Sequence, residues 1–438
     1  MTGGAADPVP RREAVRITRR RVLRGAAGLA GLVAIGGLLR ACSPAASPNA
    51  TSRLTLGSNY ADDVPRRALQ QVIDEFSART GTEVVVNTVA PGPFQERIGA
   101  YLQGTPDDVF SWYGGNRMRF FAERGLVADI SDVWADLPNQ SDAARRAAMG
   151  NDGRQYLVPF ITYPWVIVHR RSAWRAAGYA RPETLAELLE LCRRMEADGR
   201  FPFAFGSREG WPAMGTFDII NLRLNGHDFH LALLEGRERW TDARVRAAFE
   251  QWRALLPFHQ QGALGRTWQE AARSMLTGEA GMVFLGTFAA EQATAEERED
   301  LEIFPFPRLG TEFDAEMAID APINGFMLSR APANPAAARE LLRHLATPAA
   351  QSSYVMANPS RIPTATGADT SAFSNLQRQM IEVIAGAGRL AQFFDRDTRP
   401  DFAGADGMQA MLGDFLQHPE QDLDAFLARV QQLWDSLD

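Results

Sequence analysis

The chain contains no lysine: its 46 basic residues are all arginine, set against 53 acids and 6 histidines. That absence excludes whole classes of chemistry. Without an ammonium side chain there is no P-loop phosphate clamp, no protein-kinase strand lysine, no Schiff-base or pyridoxal enzyme and no Ser-x-x-Lys acyl transferase. Cysteine is nearly missing too, with Cys42 and Cys192 alone, so there is no disulfide framework to organise the fold. Neither a Gly-x-Ser-x-Gly elbow nor a His-Glu-x-x-His pair occurs, and Gly386-Ala387-Gly388 is too short for a dinucleotide loop. The tyrosines are scattered with no adjacent pair, which argues against an iron-capturing cluster. His227-Asp228-x-His230 reads as a Gly-flanked surface turn, and no metal or other cofactor is expected.

A membrane-spanning run is lacking as well. Near the N-terminus the uncharged stretch Gly25–Leu39 is fifteen residues long, roughly 22 Å of helix against a hydrocarbon core of about 30 Å. It follows Arg19-Arg20-Arg21 and ends at Leu39-Arg40-Ala41-Cys42. A paired arginine ahead of a short apolar run is the pattern of a twin-arginine export signal, here residues 1–41. The run resembles a bacterial lipoprotein signal, which implies lipidation of Cys42 and attachment to the membrane through that lipid; Arg40 departs from the pattern. Residues 42–52 have the Ser, Pro, Ala and Asn content of a flexible tether. With eight arginines and only two acids in residues 1–41, their removal takes the formal charge from −7 to −13. Such a surface repels nucleic acid and gives no basic membrane-binding face.

From Arg53 the chain alternates strand and helix. Leu54–Gly57 reads as a strand, Pro65 opens a helix with Leu69, Val72, Ile73 and Phe76 on one face, and Gly81 ends it. Val84–Val86 is a β-branched strand, Phe94–Leu102 a helix and Asp108–Trp112 a third strand. This order predicts an α/β fold with a mostly parallel sheet covered by helices. Phe203–Gly206 and Met282–Leu285 read as buried strands ending at glycine, where open sheets receive ligands. Arg181-Pro182-Glu183-Thr184 opens a helix that carries Cys192 on its apolar stripe as a core residue. Pro419 onward reads as a final docking helix, and Glu296, Glu297, Glu299 and Asp300 as a solvated loop or helix end.

Five segments, in order, carry a resemblance: Pro106-Asp107-Asp108-Val109-Phe110-Ser111-Trp112; Gly153–Pro159 running into Val166–Arg170; Gly278–Met282 running into Leu285-Gly286-Thr287-Phe288; Pro322–Phe326; and Asn358-Pro359-Ser360-Arg361-Ile362-Pro363. Together they resemble family 1 extracellular solute-binding proteins of the maltodextrin-binding-protein kind, the sugar-capturing lipoproteins and periplasmic proteins of ABC importers. The resemblance implies a type II periplasmic-binding-protein fold with ligand between two lobes, and a monomer that hands a carbohydrate to permease subunits. Lobe one is expected over 53–158 plus 305–356 and lobe two over 159–304 plus 357–438. The crossings then fall near Val158-Pro159, Phe304-Pro305 and Ala357-Asn358.

A sugar presents apolar C–H faces and a rim of hydroxyls, so its captor needs flat aromatic surfaces and planar polar groups. The resemblance places Trp112, Trp211 and Phe288 as stacking rings, with Glu209 as hydroxyl acceptor two residues ahead of Trp211. Trp165 and Trp268 are further aromatic candidates. Asn59, Asp218, Asp320, Asn324 and Arg361 stand at strand or loop ends as polar candidates, with capping or an interlobe ion pair as the alternative duty. Two other functions remain open at this point. One is a secreted glycoside hydrolase, which needs two carboxyls at a defined separation; the other is a polyamine receptor of the same fold.

Overall fold

The computed structural model describes residues 53–437, so the expected export signal, Cys42 and the tether lie outside the described residues. The strands are β1 (Arg53–Ser58), β2 (Glu83–Thr88), β3 (Val109–Tyr113), β4 (Val158–Thr162), β5 (Trp165–Arg170), β6 (Phe201–Ala204), β7 (Ala280–Gly286), β8 (Leu301–Phe304), β9 (Ile319–Asp320), β10 (Ile323–Leu328), β11 (Ile362–Pro363) and β12 (Leu390–Ala391). They form one sheet in the order β11-β4-β10-β3-β1-β2, a second in the order β6-β7-β5-β8, and a small pair β12-β9. Helices pack on both large sheets. Helix Asp63–Thr80 buries Leu69, Val72, Ile73 and Phe76 and ends at Gly81 with φ 70°; each such side chain contributes roughly 1.5–3 kcal/mol.

The βαβ portion is parallel as its alternation requires: β1 pairs in parallel with both β2 and β3, and β6 with β7. The strands next to the crossings are not. β10 runs antiparallel to β3 and β4, and β5 antiparallel to β7 and β8. Both large sheets are therefore mixed, because a chain that passes between lobes re-enters a sheet without a covering helix to reverse its direction.

Strand membership moves two of the expected crossings. β4 continues through Pro159 in the first sheet, and the chain leaves it only at Tyr163-Pro164. A register shift opposite Asn324 and Gly325 accommodates the imino acid there. Gly325 is required at that point, since a Cβ would meet the Val158 carbonyl oxygen at 2.1 Å. Likewise β11 pairs with β4, so the third passage follows Pro363 instead of Ala357. Beyond it the C-terminal helices join the second lobe: Phe249 lies 4.9 Å from Phe415 and 5.1 Å from Phe426, ring to ring.

Local signals explain other elements. The helix from Leu185 starts at a reciprocal capping box between Thr184 and Glu187 and buries Cys192, whose thiol is pushed up to about 12 by burial. The final helix, Leu423–Asp435, begins at the Asp422 side chain and buries Leu423, Phe426, Leu427 and Val430. The His227 stretch differs from expectation. Gly226, at φ 81°, opens a helix over His227–Leu234, and His230 is fully buried on it. No described helix is long and apolar enough to cross a membrane, and no described group of His, Cys, Asp and Glu is arranged to hold a metal ion.

Candidate functional site

A cavity of about 280 Å³ opens between the two large sheets. One wall comes from the carboxyl ends of β1 and β3 (Asn59, Tyr60, Tyr113), the start of helix Pro91–Gln103, and Asn324 of β10. The other comes from Trp165 at the head of β5, the loop carrying Glu209 and Trp211, the start of helix Trp268–Thr277, and Phe288 and Glu291 beyond β7. Asp62, Tyr163, Arg361, Phe393, Asp395 and Arg396 also line it. Ligand sites at strand carboxyl edges are what an open α/β sheet provides.

The second-lobe wall is aromatic. Trp165 stacks on Phe393 at 4.6 Å and 23°, and meets the edges of Trp211 at 6.2 Å and Phe288 at 6.0 Å. Trp268 stands perpendicular to Phe288 at 4.9 Å. Two local devices hold this arrangement. Gly215 lets helix Pro212–Asn225 press on the Trp165 indole, where a Cβ would come within 2.3 Å of the ring. The Thr267/Glu270 capping box fixes the first turn that carries Trp268 and Gln269.

Polar groups line the rest of the cavity. The Asn59 amide donates to the Tyr113 hydroxyl at 2.8 Å and accepts from Ser111 at 2.9 Å. Gln95 donates to the same tyrosine at 2.9 Å. Arg396 donates through Nη1 to Asn324 Oδ1 at 2.7 Å and through Nη2 to the Tyr163 hydroxyl at 3.2 Å. Its guanidinium lies 4.1 Å from the centre of the Tyr113 ring. Arg361 pairs with Glu291 at 3.0 Å and covers Tyr163 at 4.3 Å. Arg117 pairs with Asp395 at 2.7 Å, both buried. Burial pushes the Tyr113 phenol up to about 12, against the pull of Arg396, and holds the Tyr60 phenol well above its ordinary value. Both hydroxyls therefore stay protonated and able to donate.

Six lining residues also keep a buried polar atom without a hydrogen-bond partner: Tyr60 Oη, Glu209 Oε2, Gln269 Oε1, Arg361 Nη1, Asp395 Oδ1 and Arg396 Nε. Leaving a buried group unpaired costs roughly 1–3 kcal/mol. Gathered around one cavity, such atoms are placed to exchange hydrogen bonds with a polar guest.

Of the residues singled out from sequence, Asn59, Trp165, Glu209, Trp211, Trp268, Phe288, Asn324 and Arg361 line this cavity. Three do not. Trp112 is 1% exposed and packs against Phe94 and Phe121 beneath the sheet. Side chains alternate along a strand, so it is the neighbouring Tyr113 that β3 turns to the cleft. Asp218 is buried behind the wall, where its Oδ2 accepts from the Phe394 backbone at 2.6 Å and its Oδ1 lies 3.6 Å from His230 Nε2. Asp320 is buried on β9 beside β12. Sequence reasoning missed Tyr60, Gln95, Tyr113, Tyr163, Glu291, Phe393, Asp395 and Arg396. Strand alternation could have found Tyr113. No local pattern marks Phe393–Arg396, which tertiary packing alone brings to the cleft.

Comparison with known proteins agrees with this geometry. The family model described as bacterial extracellular solute-binding protein matches residues 61–352. An uncharacterized ABC transporter extracellular-binding protein of Pyrococcus horikoshii is 23% identical over 296 residues, 65% of this chain and 64% of that protein, so the match spans less than two thirds of the relative's own length. The crystal structure of the bacterial solute receptor AcbH, described as having an exclusive preference for β-D-galactopyranose, superposes with a TM-score of 0.86 at 35% identity, covering 88% of this chain and 99% of that one. Thermus thermophilus maltotriose-binding protein shares the fold at 14% identity, with a TM-score of 0.70 over 88% of this chain and 100% of that one. The match across residues 61–352, together with the two-lobed fold and its interlobe cavity, places the chain in the bacterial extracellular solute-binding protein family.

Proposed function

We propose that the chain is the extracytoplasmic capture component of an ABC importer, that it closes on a carbohydrate between its lobes, and that it performs no chemistry on it. One observation carries the reading: an aromatic wall of Trp165, Trp211, Trp268 and Phe288 shares one cavity with a set of buried, unpartnered hydrogen-bonding atoms. The C–H face of a pyranose rests on the rings, and its hydroxyls supply partners to the orphaned atoms. At about 280 Å³ the cavity falls just below the usual range of ligand sites, about 300–1,000 Å³. A single sugar ring suits it better than an extended chain, and the likeness to a galactopyranose receptor makes D-galactose the first ligand to test.

The competing functions fit less well. Glu291 and Asp395 are already paired with Arg361 and Arg117, and Asp218 and Asp320 lie outside the cavity, so a hydrolase would have to draw on Glu209 and Asp62, which are carried by opposite walls. A polyamine would meet the guanidiniums of Arg361 and Arg396 in the same cavity. Transport follows from differential affinity: the ligand favours the closed form, and permease subunits recognise that form. Calorimetry with D-galactose, D-glucose, maltose and spermidine separates the classes. Saturable binding of a sugar without turnover supports the proposal; spermidine binding alone, or hydrolysis of maltose at enzymatic rates, overturns it. Export by the twin-arginine signal and anchoring through Cys42 belong to the same proposal on the strength of residues 18–42. Labelled palmitate that is incorporated by the wild type and not by Cys42→Ala supports the anchor.

A further inference from the structure

The segment Gln392–Asp397 crosses the back of the cleft and is tied to both lobes. Gln392 Oε1 accepts from the Ile323 backbone of β10 at 2.9 Å, Phe393 stacks on Trp165 of β5, and the Phe394 N–H donates to Asp218. Asp395 is held by Arg117 of the first lobe, and Arg396 by Asn324 of β10. Phe393 has φ 125°, a strained backbone for a residue with a side chain. The strain has a visible result: the Phe393 ring enters the cavity while Phe394, 0% exposed, enters the core against Trp240 and Phe402. This places the next two side chains at the cavity floor. Asp395 Oδ1 and Arg396 Nε are both buried, both without a hydrogen bond, and 3.7 Å apart.

Building on the carbohydrate reading, we propose that Asp395 and Arg396 are the specificity-determining pair of the site, reading two hydroxyls on adjacent carbons of one sugar ring. One hydroxyl donates to Asp395 Oδ1, and its neighbour accepts from Arg396 Nε. The other atoms of both groups are already engaged by Arg117, Asn324 and Tyr163, so neither side chain can swing to follow a hydroxyl of the wrong orientation. The strap thus selects among epimers by whether both hydroxyls reach a preorganised acceptor and donor. The aromatic wall, which meets a C–H face common to many sugars, does not.

The test pairs protein variants with ligand analogues. D-galactose, D-glucose and D-mannose, with their 2-, 3-, 4- and 6-deoxy forms, are titrated by calorimetry into the wild type, Asp395→Asn and Arg117→Gln. For whichever hexose binds the wild type, removing either of two adjacent hydroxyls is expected to weaken affinity at least tenfold. In Asp395→Asn the parent sugar is expected to weaken by a similar factor, and the further loss on removing the Asp395-facing hydroxyl to fall below threefold. Arg117→Gln keeps the carboxylate but frees it to follow a displaced hydroxyl, and is expected to narrow the affinity differences among the hexoses and their deoxy forms. Should Asp395→Asn fail to fold, Arg396→Lys, which keeps the charge and lacks Nε, takes its place against the neighbouring hydroxyl. Undiminished discrimination among deoxy sugars in the variants overturns the inference while leaving carbohydrate capture intact. A wild type that binds no hexose of the panel overturns both.

Discussion

Replacing Asp397 by asparagine is expected to stabilise the protein at alkaline pH and to leave it unchanged in acid. Asp397 lies beneath the cleft with Asp218 and Asp320, and its Oδ2 accepts from the Gln392 backbone at 2.7 Å. Burial pushes its carboxyl up to about 6 from an ordinary 3.8, against the opposing pull of the Gln392 and Phe393 amides, Arg119 and His227. An acid whose pKa is raised in the folded state holds a proton there that the unfolded chain has released. Its contribution to stability is therefore complete below about pH 4 and is lost as pH rises through about 6. At roughly 1.4 kcal/mol per unit, the rise amounts to on the order of 3 kcal/mol withheld from the native state at pH 8. Asparagine imitates the protonated acid in shape, still accepts from Gln392 and carries no charge to bury. The unfolding free energy of Asp397→Asn relative to wild type should be near zero at pH 4 and grow to on the order of 3 kcal/mol by pH 8. Thermal unfolding of both proteins at pH 4, 6 and 8 measures the difference, to which relief of Asp218 and Asp320 from the Asp397 charge adds in the same direction. A variant less stable at pH 8, or a gap that is the same at all three values, refutes the reasoning.

Trp211→Ala should reduce sugar affinity at least tenfold with little change in melting temperature, since the ring is only partly buried and its protein contacts, to Trp165, Phe288 and Phe393, are edgewise or tilted at 5.9–6.5 Å; calorimetry beside a thermal melt checks both parts. Trp112→Ala should do the reverse, lowering unfolding free energy by about 3–5 kcal/mol as its buried space under β3 empties. The chemical denaturation midpoint reports it. Cys192 should resist a thiol reagent in the folded protein and react on unfolding, because its thiol is buried and pushed up to about 12; rapid labelling of native protein would contradict its placement.

Much of the fold was legible because it is written in short-range patterns. The stripe Leu69, Val72, Ile73 and Phe76, the stop at Gly81 and the helix opened by Arg181-Pro182-Glu183-Thr184 all became elements where expected. The crossings were less legible: Pro159 reads as a hinge by its chemistry, yet a register shift opposite Asn324 and Gly325 keeps it inside a strand. Trp211 and Phe288 of the aromatic wall were reached through the family resemblance, which sets rings at these positions beside Gly210 and Gly286. Trp112 was misplaced by one position of strand alternation. Tyr113 was missed by the same one-position slip, whereas Asp395 and Arg396 were not found because their approach to the cleft depends on contacts between residues far apart in the chain, such as Arg117 with Asp395.

The position of that strap in the chain has a consequence for biogenesis. Asn59 stands near the beginning of the described residues and Arg396 near their end, so no fragment released early in synthesis contains a whole binding site. A nascent or truncated chain that stops before Phe393 leaves the indole of Trp165 without its stacking partner and Asn324 without its guanidinium. A chain that ends just before Arg396 therefore carries every strand of both large sheets and still lacks a finished ligand site.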